Sequence, residues 1–197
     1  MILYRKVQAV EKLFRQLEKD VATFQQATTM KCKSACGLCC MKPDIAASPL
    51  EFLPLAYHLH KNGKANEMYE QLKESDQKIC MNLNAFLSEQ AGGFCSNYAH
   101  RGLICRLFGF SAMIGKNHKR QLVTCKTIKT EMPESFARAE AHIASNRSTP
   151  VISNYYYQLK SIDQDMGNSM LPINQAMLEA LKIVLSYYAY RHPRKAG

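Results

Sequence analysis

No stretch of this sequence is apolar for anything near the roughly 20 residues that a helix needs to cross a bilayer, so a helical membrane span is not expected. The opening segment, MILYRKVQAVEKLFRQLEKD, interrupts its apolar residues with charge every few positions, so a cleaved secretory leader is not expected either. A Gly-rich phosphate loop, a Gly-x-Ser-x-Gly elbow and a His-Glu-x-x-His helix are all missing. NTPase, α/β-hydrolase and zincin chemistry therefore lack their machinery, and no glycine fingerprint marks a dinucleotide site. Internal repeats and low-complexity segments are absent too. Acidic residues are scarce: 16 Asp+Glu face 26 Lys+Arg, for a formal charge of +10. None at all stands between Glu89 and Glu131, where Arg101, Arg106, Lys116, Lys119, Arg120, Lys126 and Lys129 contribute seven positive charges. Such a balance normally points to nucleic acid or another anionic partner.

What the chain does have is sulfur. Eight cysteines occur in 197 residues, with 47% hydrophobic and 21% charged residues, ordinary values for a globular domain. The length suits one domain with a real core. Without a leader or a membrane span, a cytoplasmic, reducing location is expected, where cysteines serve as metal ligands or reactive thiols rather than disulfides.

The patterning is mainly helical. Leu3, Val7, Val10, Phe14, Leu17, Val21 and Phe24 form a seam with spacings of three and four, predicting an amphipathic helix over 2–26 that packs on its own domain in preference to an intermolecular coiled coil. Ser48-Pro49-Leu50-Glu51 has the form of a capping box and predicts a helix to about Lys61, stopped by Gly63. A second helix from Ala65 is expected to present Met68, Tyr69, Leu72 and Ile79. Gly92-Gly93 marks a turn. Leu107 to Ile114 and Gln121 to Thr124 read as the strands of a small hairpin around Gly115-Lys116-Asn117-His118. Three further helices are expected: from Pro133 to about Ser145, from Thr149-Pro150 to Gly167, and from Pro172 to Tyr190. The predicted architecture is a single helical domain, residues 1–197. It has an N-terminal amphipathic helix (1–30), an irregular cysteine-rich metal-binding region (31–130) holding the hairpin, and C-terminal helices (131–197).

The first cysteine group is Cys32-Lys-Ser-Ala-Cys36-Gly-Leu-Cys39-Cys40. Zinc and iron–sulfur clusters need several thiolates converging on the metal, at roughly 2.3 Å for a zinc–sulfur bond. Short spacing lets one tight loop aim two sulfurs inward, and Gly37 gives that loop freedom to turn. Neighbouring side chains tend to diverge, so Cys39 and Cys40 are not expected to share one tetrahedral ion. One ligates while the other packs, the two address neighbouring metals, or they form a vicinal redox pair. The second group, Cys80, Cys95, Cys105 and Cys125, is too widely spaced to define a site by itself.

The segment Cys95-Ser-Asn-Tyr98-Ala-His-Arg101-Gly-Leu-Ile-Cys105-Arg106, taken with the double cysteine and the lone Cys80, resembles the YkgJ-like, or CxxCxxCC, cysteine-cluster family of zinc- or iron-chelating domains, some of whose members carry iron–sulfur oxidoreductase labels. The resemblance spans residues 32–125. It implies metal binding by Cys32, Cys36, Cys39, Cys40, Cys80, Cys95 and Cys105, with Cys125 added from the variable tail. The first spacing is Cys-x3-Cys here rather than Cys-x2-Cys. Gly102 and Gly109 stand where the family often has proline, which predicts a less rigid second loop. Beside thiolates bound to a divalent ion, Arg101 and Arg106 could offset the negative charge, and Tyr98 could donate a hydrogen bond to sulfur.

Among the histidines, His58 and His60 lie two apart on a predicted helix and cannot chelate together. His100 and His118 lie within the cysteine-rich region and could replace a sulfur. Tyr155-Tyr156-Tyr157 and Tyr187-Tyr188 read as core and rim of helices. The expected function is thiolate binding of zinc or iron, an iron–sulfur cluster included, in a structural or metal-handling role. Alternatives are an iron–sulfur oxidoreductase or electron carrier, and a zinc-dependent nucleic-acid-binding module, although no base-reading element is recognisable. Bound thiolates also alter the charge: four on one divalent ion take +10 to +8, and eight on two ions take it to +6.

Overall fold

The computed structural model describes residues 2–33, 36–85, 93–145 and 148–190. In chain order the elements are α1 (Leu3–Thr28), β1 (Ala46–Ala47), a 3₁₀ turn (Pro49–Phe52) running into α2 (Leu53–Lys61), α3 (Ala65–Glu74), β2 (Leu83–Ala85) and β3 (Gly93–Cys95). After a second 3₁₀ turn (Tyr98–His100) come α4 (Leu103–Leu107), β4 (Ser111–Ile114), β5 (Arg120–Val123), α5 (Lys126–Glu131), α6 (Pro133–Ala144), α7 (Ile152–Ile162), α8 (Gln164–Asn168), β6 (Leu171–Pro172) and α9 (Ile173–Ala189). The fold is mainly α, as the patterning predicts.

Helix α1 buries its seam, with Leu3, Val7, Val10, Phe14, Leu17 and Phe24 all inside. Helices α2, α4, α6 and α7 cover it, so the apolar stripe is satisfied within the chain and needs no coiled-coil partner. Helix α9 lies at the centre, packed on α2, α3 and the first 3₁₀ turn. Its Ile173, Met177, Leu181 and Val184 are buried. These helices build the main hydrophobic core. A second, smaller cluster joins Phe24 and Met30 to Ala112, Ile128, Ala139 and Ile143, beneath the β4–β5 hairpin.

Several boundaries differ from the sequence reading. Helix α3 stops at Glu74, leaving Ile79 outside it. Ser75 Oγ accepts from the Gln77 N–H at 3.1 Å, and this local turn competes with a further helical turn. Leu107 ends α4, so only the later part of the Leu107–Ile114 run is strand. Short antiparallel pairs form between β1 and β6, β2 and β3, and β4 and β5, where a single hairpin was expected. The helix expected up to Gly167 breaks at Asp163, whose side chain caps α8 by accepting from Met166 N–H and pairs with Lys6 at 2.5 Å. Helix α5 is an addition, capped by Cys125. Of the expected Gly92-Gly93 turn, Gly92 lies outside the described residues, and Gly93 opens β3.

Candidate metal centre

The cysteines reach the centre from five chain segments, each tied down by backbone or side-chain hydrogen bonds. Gly37 sits at φ +61, a left-handed conformation that uses a glycine's freedom to turn, and the Cys40 N–H donates to its carbonyl at 2.9 Å. A Cβ at Gly37 would press on Leu83 and Gly93 at 3.0 and 3.1 Å, so the first loop lies directly against β2 and β3. The Cys80 N–H donates to the Cys40 carbonyl at 3.2 Å, and Leu83 pairs with Cys95 across the strands. Those contacts bring Cys40, Cys80 and Cys95 to one place.

Two asparagines and a glutamate brace the arrangement, and none was singled out as a site residue in the sequence. Asn174, in the first turn of α9, accepts from Met81 N–H at 2.9 Å and donates to the Gln77 and Ile79 carbonyls at 2.8 Å each. Asn82 accepts from Asn97 at 2.9 Å and its carbonyl receives Ser96 N–H at 2.8 Å, linking the Cys80 and Cys95 segments. Glu51 is fully buried. One oxygen accepts from Ser48 N–H at 2.8 Å, the capping box foreseen. Its other oxygen accepts from Ile104 N–H at 2.8 Å, which pins the start of α4, the helix carrying Cys105.

That anchorage explains Gly102. A Cβ there would stand 2.8 Å from Phe52 and 2.9 Å from a Glu51 oxygen, so the glycine admits the carboxylate to the helix start. Gly109 sits at φ +96, which proline cannot adopt, and its N–H donates to the Val123 carbonyl at 2.9 Å. The two glycines therefore serve close packing and a hydrogen-bonded turn.

The sulfurs themselves converge. Cys39 and Cys40, expected to diverge, have their Sγ atoms 3.9 Å apart. Two ligands at ~2.3 Å on a tetrahedral ion stand about 3.8 Å apart, so this spacing suits sulfurs on one ion or on adjoining ions. The Cys40 thiol, donating to Cys39, favours the Cys39 thiolate and raises Cys40 well above the usual thiol range. Burial pushes Cys80 up to about 11 and raises Cys105, with Glu51 adding to the latter. Partial burial and the neighbouring Cys36, Cys39 and Cys125 raise Cys32, and burial raises Cys95. Cys125 caps α5, its sulfur accepting from Ile128 N–H at 3.4 Å. Among the described residues, no three His, Cys, Asp or Glu side chains already stand in metal-holding geometry. Cys39 and Cys40 are the one sulfur pair in direct contact among the described residues.

Of Arg101, Arg106 and Tyr98, Arg101 lies nearest in charge to the thiols. Its positive charge favours the thiolate forms of Cys32, Cys39 and Cys95, and its Nε is buried with no hydrogen-bond partner. A buried orphan donor beside thiols is what a bound thiolate would satisfy, so the donor set fits a soft metal ion. Tyr98 is exposed, and the Arg101 guanidinium lies 3.9 Å from its ring centre. Arg106 is committed to the scaffold. It pairs with Glu18, donates to the Ala99 and Arg101 carbonyls at 2.6 and 3.0 Å, and lies over the Phe14 ring at 4.5 Å. His58 stacks on His100 at 4.0 Å and His60 on Tyr188 at 4.5 Å, while His118 turns the β4–β5 hairpin at φ +56.

No curated protein and no solved structure matches the chain. Residues 31–133, just over half of its length, match the CxxCxxCC family, described as "putative zinc- or iron-chelating domain". That span contains all eight cysteines. The chain belongs to the CxxCxxCC family of zinc- or iron-chelating domains.

Proposed function

We propose that this protein holds zinc, with iron the second choice, through the thiolates of Cys32, Cys36, Cys39, Cys40, Cys80, Cys95, Cys105 and Cys125, in a structural or metal-handling role. The supporting observation is convergence: thiols from five separate segments lie within electrostatic reach of Cys39 or Cys32. Arg101 would offset the thiolate charge. Zinc has no redox chemistry and needs no electron-transfer partner site, and the sequence offers no flavin or nucleotide site to accompany one. When bound, the ion would cross-link segments that share little regular secondary structure, and its binding energy would then be folding energy for them. We read the 197 residues as one unit working in a reducing compartment, which keeps such thiols available.

Elemental analysis of anaerobically purified protein tests this reading. A colourless protein carrying zinc is expected. A brown protein whose visible absorption bleaches on reduction would move the assignment to an iron–sulfur centre, and a preparation free of transition metal would overturn it.

A further inference from the structure

We infer that the eight thiols form two adjoining metal sites, an inner one on Cys40, Cys80, Cys95 and Cys105 and an outer one on Cys32, Cys36, Cys125 and Cys39. This rests on the metal-binding reading above and adds a division of labour to it. The division follows the two hydrophobic clusters. Cys80 is a buried member of the main core, and Cys40 and Cys105 pack against it. Cys125 packs instead against the second cluster, which contains Met30, two residues before Cys32.

Backbone hydrogen bonds and one ion pair connect members within each group. The Cys40, Cys80 and Cys95 segments are joined by the Cys80 N–H to Cys40 carbonyl bond, the Leu83 to Cys95 pairing, and the Leu83 N–H to Cys80 carbonyl bond at 3.0 Å. On the outer side, Lys33 pairs with Glu131 at 3.8 Å, tying the Cys32 segment to the helix that Cys125 caps. Exposure differs only at the extremes of the two groups. Cys32 and Cys39 are exposed and Cys80 is buried, while Cys36 and Cys125 on one side and Cys40, Cys95 and Cys105 on the other are half-buried. Among electrostatic neighbours, Cys32 senses Cys36, Cys39 and Cys125, while Cys105 senses Cys80 and Cys95, and Cys39 is felt on both sides, by Cys32 and by Cys40, Cys80, Cys95 and Cys105. Cys39 therefore stands at the seam. Its 3.9 Å approach to Cys40 is where the sites adjoin, and its exposure assigns it to the outer four.

Different lifetimes follow from that geometry. An ion on the inner four would be walled by the main core and by the Asn174 and Glu51 anchors, and would exchange slowly. An ion on the outer four would face solvent on a loop that a chelator can reach. The outer site is then the one suited to transfer of metal, and the inner one to holding the fold.

The test is titration of the anaerobically reduced, metal-free full-length chain with Co²⁺, read by its thiolate charge-transfer absorption, followed by timed removal with a chromogenic chelator. Two ions per chain and two well-separated release phases are expected. In the C32S/C125S double variant, with its fold checked by circular dichroism, one ion and the slow phase alone should remain. Binding of a single ion by the wild-type chain would overturn the division while leaving the metal-binding reading intact. So would loss of both ions in the folded variant, which would mean one joint cluster. Binding of no ion at all would remove the metal-binding reading itself.

Discussion

Glu51 shows how much one side chain can do from a buried position. A carboxylate with no solvent contact is costly unless backbone donors compensate, and here Ser48 and Ile104 supply them at 2.8 Å each. Complete burial still prevails and pushes its pKa up to about 7 from 4.5, with Cys105 and Tyr156 as titratable neighbours. The folded state thus holds this proton more tightly than the unfolded chain. Glu51's contribution to stability is full below pH 4.5 and is lost as pH rises through about 7. Urea midpoints of the metal-free protein should show that decline, and Glu51→Gln should flatten this part of the profile; equal slopes in both would contradict the assignment. The capping role was legible from Ser-Pro-Leu-Glu alone. The second role was not, because the Ile104 N–H lies 53 positions away and only folding brings it there.

At the scale of elements, apolar spacing located α1, and capping and proline signals located α2, α6 and α9, to within a few residues. The misplaced ends share a cause. Ser75 and Asp163 are short polar side chains that bond nearby backbone, and whether they terminate a helix depends on a contact the pattern does not encode, such as Lys6 meeting Asp163. The cysteines were legible because thiols grouped at such spacing carry their chemistry openly. The struts that aim them were not, since a single asparagine looks like any other polar residue. Asn174 is the case to test. Asn174→Ala strands the Met81 N–H and two carbonyls, at a cost of about 1–3 kcal/mol. Amide exchange should quicken over residues 77–82 while the middle of α9 stays protected; unchanged exchange at Met81 would show that the strut carries no load.

For the whole molecule, the helices act as a frame around a centre that has little regular structure of its own. The two hydrophobic clusters meet along α1, which gives Leu17 to one and Phe24 to the other, and the cysteine segments bridge between them. The formal charge of +10 reads differently in that setting. Arg101 favours thiolate at three cysteines and Arg106 is locked into the scaffold, so part of the basic excess is internal counter-charge and structural support. Ligation of the proposed metal by sulfur is open to one direct test. X-ray absorption at the metal edge of the anaerobically purified protein measures it: a sulfur shell at about 2.3 Å is expected for zinc, and a shell of only nitrogen and oxygen at about 2.0–2.1 Å would contradict thiolate binding.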